Sequence, residues 1–335
     1  MTSPDPSLVD LASRALGGSV VAANDEFFAH RENLVTVAPP RFDPDEFGLK
    51  GKVYDGWETR RRREPGHDWA IVRLGVPGVL DHVVVDTAFF TGNYPPEIAV
   101  EAAAVAGHPS PDELAAARWH EIVPRSACAG DTANTYPVHD PHRFTHLRLI
   151  MHPDGGIARF RARGRALPDP RFLAGTVDLV AAENGGRVTG CSDAFYSSPG
   201  NLLLPGSARH MGEGWENARR RGGGNDWVEF ALGAAGVPRY AEIDTTWFVG
   251  NAPGRVSVAT RDERAGGGWT TLLDQERVQP DTRHRFPLPG AGAATHLRLD
   301  VFPDGGLSRL RLPGELDDAA LAAAADAWAR TDPDA

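Results

Sequence analysis

The feature that most constrains the fold is an internal repeat that spans almost the whole chain. Short blocks of the first half return in the same order in the second half, with shorter spacing between them. Two copies are too few for a solenoid, whose repeats bury their faces against neighbours on both sides. Each copy is therefore predicted to be a domain with its own core. The matched blocks are Gly17-Gly18 and Gly185-Gly186, Asp25-Glu26-Phe27-Phe28 and Asp193-Ala194-Phe195-Tyr196, Asp55-Gly56-Trp57-Glu58 and Glu213-Gly214-Trp215-Glu216, Asp68-Trp69 and Asp226-Trp227, Asp86-Thr87 and Asp244-Thr245, Gly92-Asn93 and Gly250-Asn251, residues 145–149 and 295–299, and residues 153–156 and 303–306.

The boundary between the copies is predicted near residues 165–178, where Pro168 and Pro170 lie in a polar stretch. Residues 1–167 then form the first domain and residues 168–335 the second. A length of 335 residues agrees with two domains, each large enough to bury a core without disulfide or metal support.

Each copy has the pattern of short β-strands. Residues 83–90 are a β-branched and aromatic run, and residues 145–149 alternate between apolar and polar side chains. The Asp-Gly-Gly that follows residue 153 indicates a turn. Residues 315–330, acidic and then rich in alanine, predict a closing helix. We therefore predict an all-β protein of two tandem antiparallel β-sandwiches with a short C-terminal helix.

The composition limits the partners and the compartment. A formal net charge of −10 repels nucleic acid and anionic membranes, so neither is expected as a partner, although a local basic pocket could still bind a small anion. No stretch approaches the roughly 20 apolar residues that span a bilayer. Residues 1–6 lack the basic start of a signal peptide, and Cys128 and Cys191 fit reduced thiols. These features predict a soluble cytoplasmic protein.

The first candidate for chemistry is the run DGWETRRRR at residues 55–63, followed by Gly66-His67-Asp68-Trp69. Arginines bind carboxylates and ureido oxygens, and Glu58, His67 and Asp68 can transfer protons. The alternative is a solvated charge run in which the acids pair with arginines. The return of the same residue types in the second copy favours a site. Neighbouring arginines of an extended chain face opposite sides, so only some of them can reach one pocket.

A second group of candidates is repeated between the copies but is also compatible with structural roles. Asp86 and Thr87 end an apolar strand, and Asn93 follows a glycine in a turn. Asp25 could be a site acid beside two aromatic residues. The histidines at 120, 139, 142, 146 and 152 lack a metal-ligand spacing, so the sequence leaves any metal undetermined.

Three of these strings, residues 55–61, 66–69 and 85–96, resemble the allantoicase family, and the resemblance extends over both copies. It implies tandem jelly-roll sandwiches of the galactose-binding or discoidin type. The implied reaction is hydrolysis of allantoate to ureidoglycolate and urea, a step of allantoin and purine degradation. The family also implies a homo-oligomer and, for some members, a divalent metal; no cofactor is required by the sequence itself.

This reaction suggests roles for the candidates. Arg60 or Arg61 would bind the substrate carboxylate, and His67 would act as acid or base with Asp68 or Glu58 as its partner. The other predicted substrate-binding residues are Asp86, Thr87, Asn93 and Asp25.

The second copy departs from this pattern. Asn225 stands where the first copy has His67, Asn217-Ala218 where it has Thr59-Arg60, and Val249 where the family's second copy tends to carry a basic residue. These departures suggest that the first copy carries the chemistry and the second supports it.

Two alternatives to an allantoate hydrolase remain at this stage. One is another ureide hydrolase or lyase. The other is a non-catalytic carbohydrate-binding or structural pair of β-sandwiches, because a fold does not fix a function.

Overall fold

The computed structural model describes residues 8–335, and the prediction that the chain has no signal peptide falls largely on residues outside this range. The chain divides into two compact units. The first unit comprises Val9–Leu167 and Ala329–Ala335, and the second comprises Pro168–Trp328 with Leu8.

The first unit is built almost entirely of antiparallel strands, with one short helix and two 3-10 turns. Its strands are β1 (Val9–Asp10), β2 (Ser19–Ala23), β3 (Phe47–Gly48), β4 (Gly51–Lys52), β5 (Trp57–Glu58), β6 (Asp68–Asp86), β7 (Glu97–Ala103), β8 (His120–Ala127), β9 (Ala133–Pro137), β10 (Arg143–His152), β11 (Gly156–Ile157) and β12 (Arg159–Ala166). Helix α1 is Pro111–Ala115, and the 3-10 turns are Arg14–Leu16 and Arg31–Val35.

The long strand β6 organises this unit. Its first part pairs with β2 and β10, and its last part pairs with β9 and β12. The main sheet has the order β1-β12-β6-β10-β7-β8, and a small separate sheet pairs β5 with β11. Alternating Val, Ile and Leu side chains of β6 are buried, as expected for a strand with one face on a core.

The second unit repeats this arrangement with one interruption. Its strands are β13 (Thr176–Asp178), β14 (Arg187–Cys191), β15 (Asp226–Pro238), β16 (Tyr240–Asp244), β17 (Arg255–Arg261), β18 (Thr270–Arg277), β19 (Arg283–Pro287), β20 (Ala294–Phe302), β21 (Arg309–Arg311) and β22 (Pro313–Leu316). The 3-10 turns are Pro170–Phe172, Ala182–Asn184, Pro199–Leu203, Met211–Glu213 and Glu263–Ala265. The counterpart of β6 is split into β15 and β16, which belong to two sheets of order β13-β22-β15-β20-β17-β18 and β19-β16-β21.

The closing helix α2 spans Asp318–Arg330 and therefore begins later than the predicted residue 315. Glu315 and Leu316 instead belong to β22, which pairs with β13 and β15. Asp317 accepts a hydrogen bond from the backbone N of Ala320 at 2.8 Å, which is the contact that starts the helix. Glu315 and Leu316 are thus paired in a sheet, although their composition also fits a helix.

Residues 329–335 belong to the first unit, whereas the sequence analysis placed them in the second domain. The backbone N of Arg143 donates to the carbonyl of Thr331 at 2.8 Å, and its guanidinium pairs with Asp332 at 2.6 Å. These contacts fix the tail to strand β10. Across residues 8–335, no helix has the length and apolar character needed to cross a membrane.

His146, on β10, has a structural role. Its side chain is 1% exposed, and Thr145 Oγ1 lies 2.8 Å from its Nδ1. Burial and the nearby positive charge of Arg73 lower the pKa of His146 to about 4, so the ring is neutral near pH 7. A neutral buried imidazole on a core strand is a packing residue with a satisfied hydrogen bond.

Candidate active site

The first unit contains a polar cavity of about 560 Å³ whose walls come from segments far apart in the sequence. They are strand β5 and the loop after it, the loops that follow β2 and β6, and the turn after β10. The lining residues are Phe28, Glu58, Thr59, Arg60, Arg61, Arg63, Gly92, Asn93, Tyr94, Pro96, Pro153, Asp154 and Gly155.

Strand β5 presents Glu58 to this cavity. Trp57 is fully buried, and its indole Nε1 donates to the carbonyl of Asp25 at 2.8 Å. Thr59 is 4% exposed, and its backbone N donates to the carbonyl of Gly155 at 3.0 Å. Because side chains alternate along a strand, two buried neighbours direct Glu58 to the opposite side, toward the cavity.

Glu58 forms a pair with Asn93 across the cavity wall. Asn93 Nδ2 donates to Glu58 Oε1 at 2.7 Å. Burial raises the pKa of Glu58 above its ordinary value, and the hydrogen bond from Asn93 opposes this rise only in part. Glu58 therefore holds a proton more firmly than an exposed glutamate does. A carboxyl group of this kind can act as a general acid.

The four consecutive arginines have different surroundings. Arg62 turns away from the cavity and binds Asp68, with 2.7 Å between Nη1 and Oδ1. Arg60 lines the cavity but is paired with Asp25 at 2.6 Å. Arg61 and Arg63 also line it, and neither has a carboxylate within ion-pair distance among residues 8–335. These two guanidinium groups are available to bind an anion.

The turn after β10 supplies a second carboxylate, Asp154, whose Oδ2 accepts a hydrogen bond from the backbone N of Arg62 at 2.8 Å. Gly155 follows with a φ of 151°, a conformation that favours glycine. A Cβ atom at this position would lie 2.5 Å from the backbone N of Pro95, so the turn also requires glycine for space. The turn therefore holds the arginine loop and the loop after β6 in fixed positions.

Two of the three predicted catalytic residues lie outside the lining. Asp68 is 1% exposed and accepts hydrogen bonds from Arg62 and from Asn24 Nδ2, the latter at 2.8 Å. His67 is exposed, and its ring lies 5.5 Å from the ring of His152. Asp68 forms an ion pair with Arg62 and so anchors the arginine loop at the start of β6. His67, the preceding residue, lies on the surface. Their positions give no support to the predicted catalytic roles.

Three of the predicted substrate-binding residues also contact the protein itself. Thr87 is fully buried, and its hydroxyl donates to the carbonyl of Ala129 at 2.6 Å. Asp86 accepts a hydrogen bond from the backbone N of Ala88 at 2.9 Å and so stabilises a turn. Asp25 fixes Arg60. The predicted residues that do line the cavity are Glu58, Arg60, Arg61 and Asn93.

Arg63 and Asp154 line the cavity without having been predicted as site residues, although both carry a signal in the sequence. Arg63 belongs to the arginine run, and alternation places it on the same side as Arg61. Asp154 lies in a Pro-Asp-Gly-Gly block that occurs in both copies. Asp and Gly are common turn residues, so this block was interpreted as a turn alone.

The residues of the cavity do not fit a divalent metal. Its two carboxylates, Glu58 and Asp154, each accept a hydrogen bond from a protein donor, and three arginines line the same cavity. Among the described residues no group of three or more His, Cys, Asp or Glu side chains could hold a metal ion. A pocket dominated by arginine favours an anion instead.

Comparison with known proteins identifies the family of the chain. The model of the allantoicase repeat family matches residues 9–167 and 177–317. A protein of Streptomyces coelicolor named probable allantoicase is 53% identical over 329 residues, which cover 94% of this chain and 87% of that protein. One of Nocardia farcinica with the same name is 53% identical over 313 residues, or 92% of this chain and 94% of that protein.

Among solved structures, the crystal structure of allantoicase from Saccharomyces cerevisiae is 35% identical with a TM-score of 0.81. The match covers 92% of this chain and 94% of the yeast chain. Both halves of the chain, and not only one domain, therefore match the family in sequence and in fold. The chain belongs to the allantoicase family.

Proposed function

We propose that this chain hydrolyses allantoate to ureidoglycolate and urea, and that the cavity of the first unit is an active site for this reaction. The observation that carries the proposal is the Glu58–Asn93 pair, a half-buried carboxyl group whose pKa is raised by burial, in a cavity with two arginines that have no acidic partner. The family indicates the substrate, and the geometry supports the roles given to the residues.

The substrate bears one carboxylate and two ureido groups on a single carbon. Arg61 and Arg63 bind the carboxylate, because guanidinium groups form charge-assisted, often bidentate hydrogen bonds with it. Arg60 is held by Asp25 and contributes positive charge at the rim. A small cavity lined by arginines is consistent with such an anion in a chain whose net charge is −10.

The chemistry uses the aminal-like character of the substrate carbon. Glu58 gives its proton to the nitrogen of the departing urea as the C–N bond breaks, and the other ureido nitrogen supplies the electron pair. The resulting acylimine-like intermediate takes up water. Glu58, now a carboxylate, accepts the proton that the water loses, so the cycle closes with Glu58 protonated again. Asn93 holds the carboxyl group in position throughout.

We also propose a pathway, a compartment and an assembly for the enzyme. The reaction would serve allantoin and purine degradation in the cytoplasm, and two free cysteines, Cys128 and Cys191, are consistent with a reducing compartment. A homo-oligomer is the assembly that the family resemblance predicts. Size-exclusion chromatography with light scattering measures it.

The direct test is urea release from allantoate by purified protein, with ureidoglycolate measured in parallel. Equal amounts of the two products are expected. A parallel assay with a chelator should give the same rate, because the cavity does not fit a divalent metal. Folded protein that releases no urea would contradict the proposal, and turnover of ureidoglycolate alone would identify a different ureide hydrolase or lyase.

A further inference from the structure

The second unit contains a cavity of about 390 Å³ that corresponds to the cavity of the first. Its walls come from the loops after β14, β16 and β20 and from the segment that precedes β15. The lining residues are Tyr196, Glu216, Asn217, Arg219, Arg221, Gly250, Asn251, Ala252, Asp304 and Gly305. Each charged residue in this set is the repeat counterpart of one in the first cavity.

The contacts in the second cavity match those of the first. Asn251 Nδ2 donates to Glu216 Oε1 at 2.6 Å, as Asn93 does to Glu58 at 2.7 Å. Arg220 turns away to pair with Asp226, as Arg62 does with Asp68. The carboxylate of Asp304 accepts a hydrogen bond from the backbone N of Arg220. The second cavity thus has a glutamate with the same amide partner and the same anchoring of the arginine loop.

The two remaining arginines, Arg219 and Arg221, line the second cavity as Arg61 and Arg63 line the first. Within the described part of the chain, neither pairs with a carboxylate. An anion in this cavity would therefore meet two guanidinium groups without competition from protein acids.

The departures that suggested a merely supporting second copy leave the acid, its amide partner and the two unpaired arginines in place. Asn225, the counterpart of His67, binds Asp300 Oδ1 at 2.8 Å and does not line the cavity. Ala218 replaces Arg60, an arginine already paired with Asp25. Val249 is an exposed side chain and is not part of the lining. None of these changes removes the acid, its amide partner or an unpaired arginine.

Asn217 adds a feature that the first cavity lacks. It is 4% exposed, and its Oδ1 accepts a hydrogen bond from the backbone N of Gly305 at 2.9 Å, the role that Thr59 has toward Gly155. The Nδ2 of Asn217 is buried and has no hydrogen-bond partner in the described structure. Leaving a buried donor unpaired is costly, and an acceptor oxygen of a ligand would satisfy it.

We propose that the second cavity is a separate catalytic site for the same class of substrate, a carboxylate that carries ureido groups. Glu216 is its acid, Asn251 holds Glu216, and Arg219 and Arg221 bind the carboxylate. Asn217 donates a hydrogen bond to a ureido oxygen. This inference rests on the proposed function, and it replaces the prediction that only the first copy is catalytic.

The test compares urea release from allantoate by the wild-type chain and by the Glu58→Gln, Glu216→Gln and doubly substituted chains. Each single variant should keep between about one third and two thirds of the wild-type turnover. The double variant should lose at least about 100-fold, the usual contribution of a general acid. Glutamine is close to glutamate in shape, and circular dichroism checks that each variant is folded.

A loss of about 100-fold in either single variant would overturn the proposal, because it would leave one catalytic cavity. This result is distinct from failure of the proposed function, in which the wild-type chain itself releases no urea.

The role of Asn217 is tested in the Glu58→Gln chain, where turnover reports the second cavity. Asn217→Thr restores the residue of the first copy and keeps an acceptor for Gly305, but removes the unpaired donor. KM should rise three- to tenfold, the effect of one lost hydrogen bond, with kcat little changed. Asn225→His, outside the lining, serves as the matched control and should leave KM unchanged. An unchanged KM in Asn217→Thr would overturn the proposed contact with the ligand.

Discussion

The two units differ most in the structures around their cavities and least in the charged groups within them. The first unit carries a hairpin, β3 and β4, and the long continuous strand β6, whereas the second unit splits the equivalent strand into β15 and β16. The acid–amide pair and the anchored arginine loop are nevertheless present in both. The strands around the two cavities thus differ, whereas the glutamate, its amide partner and the anchored arginine loop have the same arrangement in both.

The walls of the cavities show where the copies have diverged. Phe28 of the first cavity corresponds to Tyr196 of the second, and Thr59 corresponds to Asn217. Both changes alter hydrogen-bonding capacity and leave the charges as they are. Under the proposal, the two cavities share a reaction and differ in how tightly each holds its substrate.

The largest effect is expected from the buried ion pair that anchors each arginine loop. Asp68→Ala leaves Arg62 without its partner and should lower the free energy of unfolding by about 3 kcal/mol. Asp226→Ala should have a similar effect through Arg220. Urea denaturation measures the free energy of unfolding of both variants. A loss of stability in only one variant would show that the two loops are not equivalent.

The unpaired arginines should control substrate binding. With the second cavity silenced by Glu216→Gln, Arg61→Met should raise KM for allantoate by about 10- to 100-fold, because a charge-assisted hydrogen bond is lost. Arg219→Met in the Glu58→Gln chain should do the same. Steady-state kinetics give both values, and an unchanged KM would remove these residues from substrate binding.

The pH dependence tests whether Glu58 is the acid. A general acid is active when protonated, so kcat/KM of the first cavity should fall as pH rises through the pKa of Glu58, which burial raises. Asn93 lowers this pKa, so Asn93→Ala should move the alkaline limb to higher pH. The profile is recorded in the Glu216→Gln chain. A limb that does not move would argue against Glu58 as the titrating group.

The smallest effect is expected at His67. Its ring is exposed and lies outside the cavity, so His67→Ala should keep activity within about twofold of the wild-type chain. The initial hypothesis of a catalytic histidine requires a loss of about 100-fold or more. The initial rate of urea release by this variant distinguishes the two.

The fold class could be predicted from the sequence, because the repeated blocks and the alternation of apolar and polar residues are visible in short segments. The predictions of an all-β protein, an internal repeat and the allantoicase family are confirmed. The start of helix α2 was wrong by three residues, because Glu315 and Leu316 pair with distant strands. Composition alone cannot report such pairing.

The lining of the candidate site was predicted only in part, because its geometry depends on long-range contacts. Glu58 and Asn93 were found from repeated blocks, yet only the structure brings them within 2.7 Å. Asp154 reaches the arginine loop because β11 pairs with β5, and that register is not visible in the sequence. His67 was chosen for the chemistry of its side chain, without knowledge of the ion pair that makes its neighbour Asp68 structural.

The most direct test of the account is the number of substrate molecules that one chain binds. The Glu58→Gln, Glu216→Gln double variant keeps all the arginines and should bind allantoate without hydrolysing it. Isothermal titration calorimetry of this variant should give two molecules per chain. A stoichiometry of one would contradict the equivalence of the two cavities.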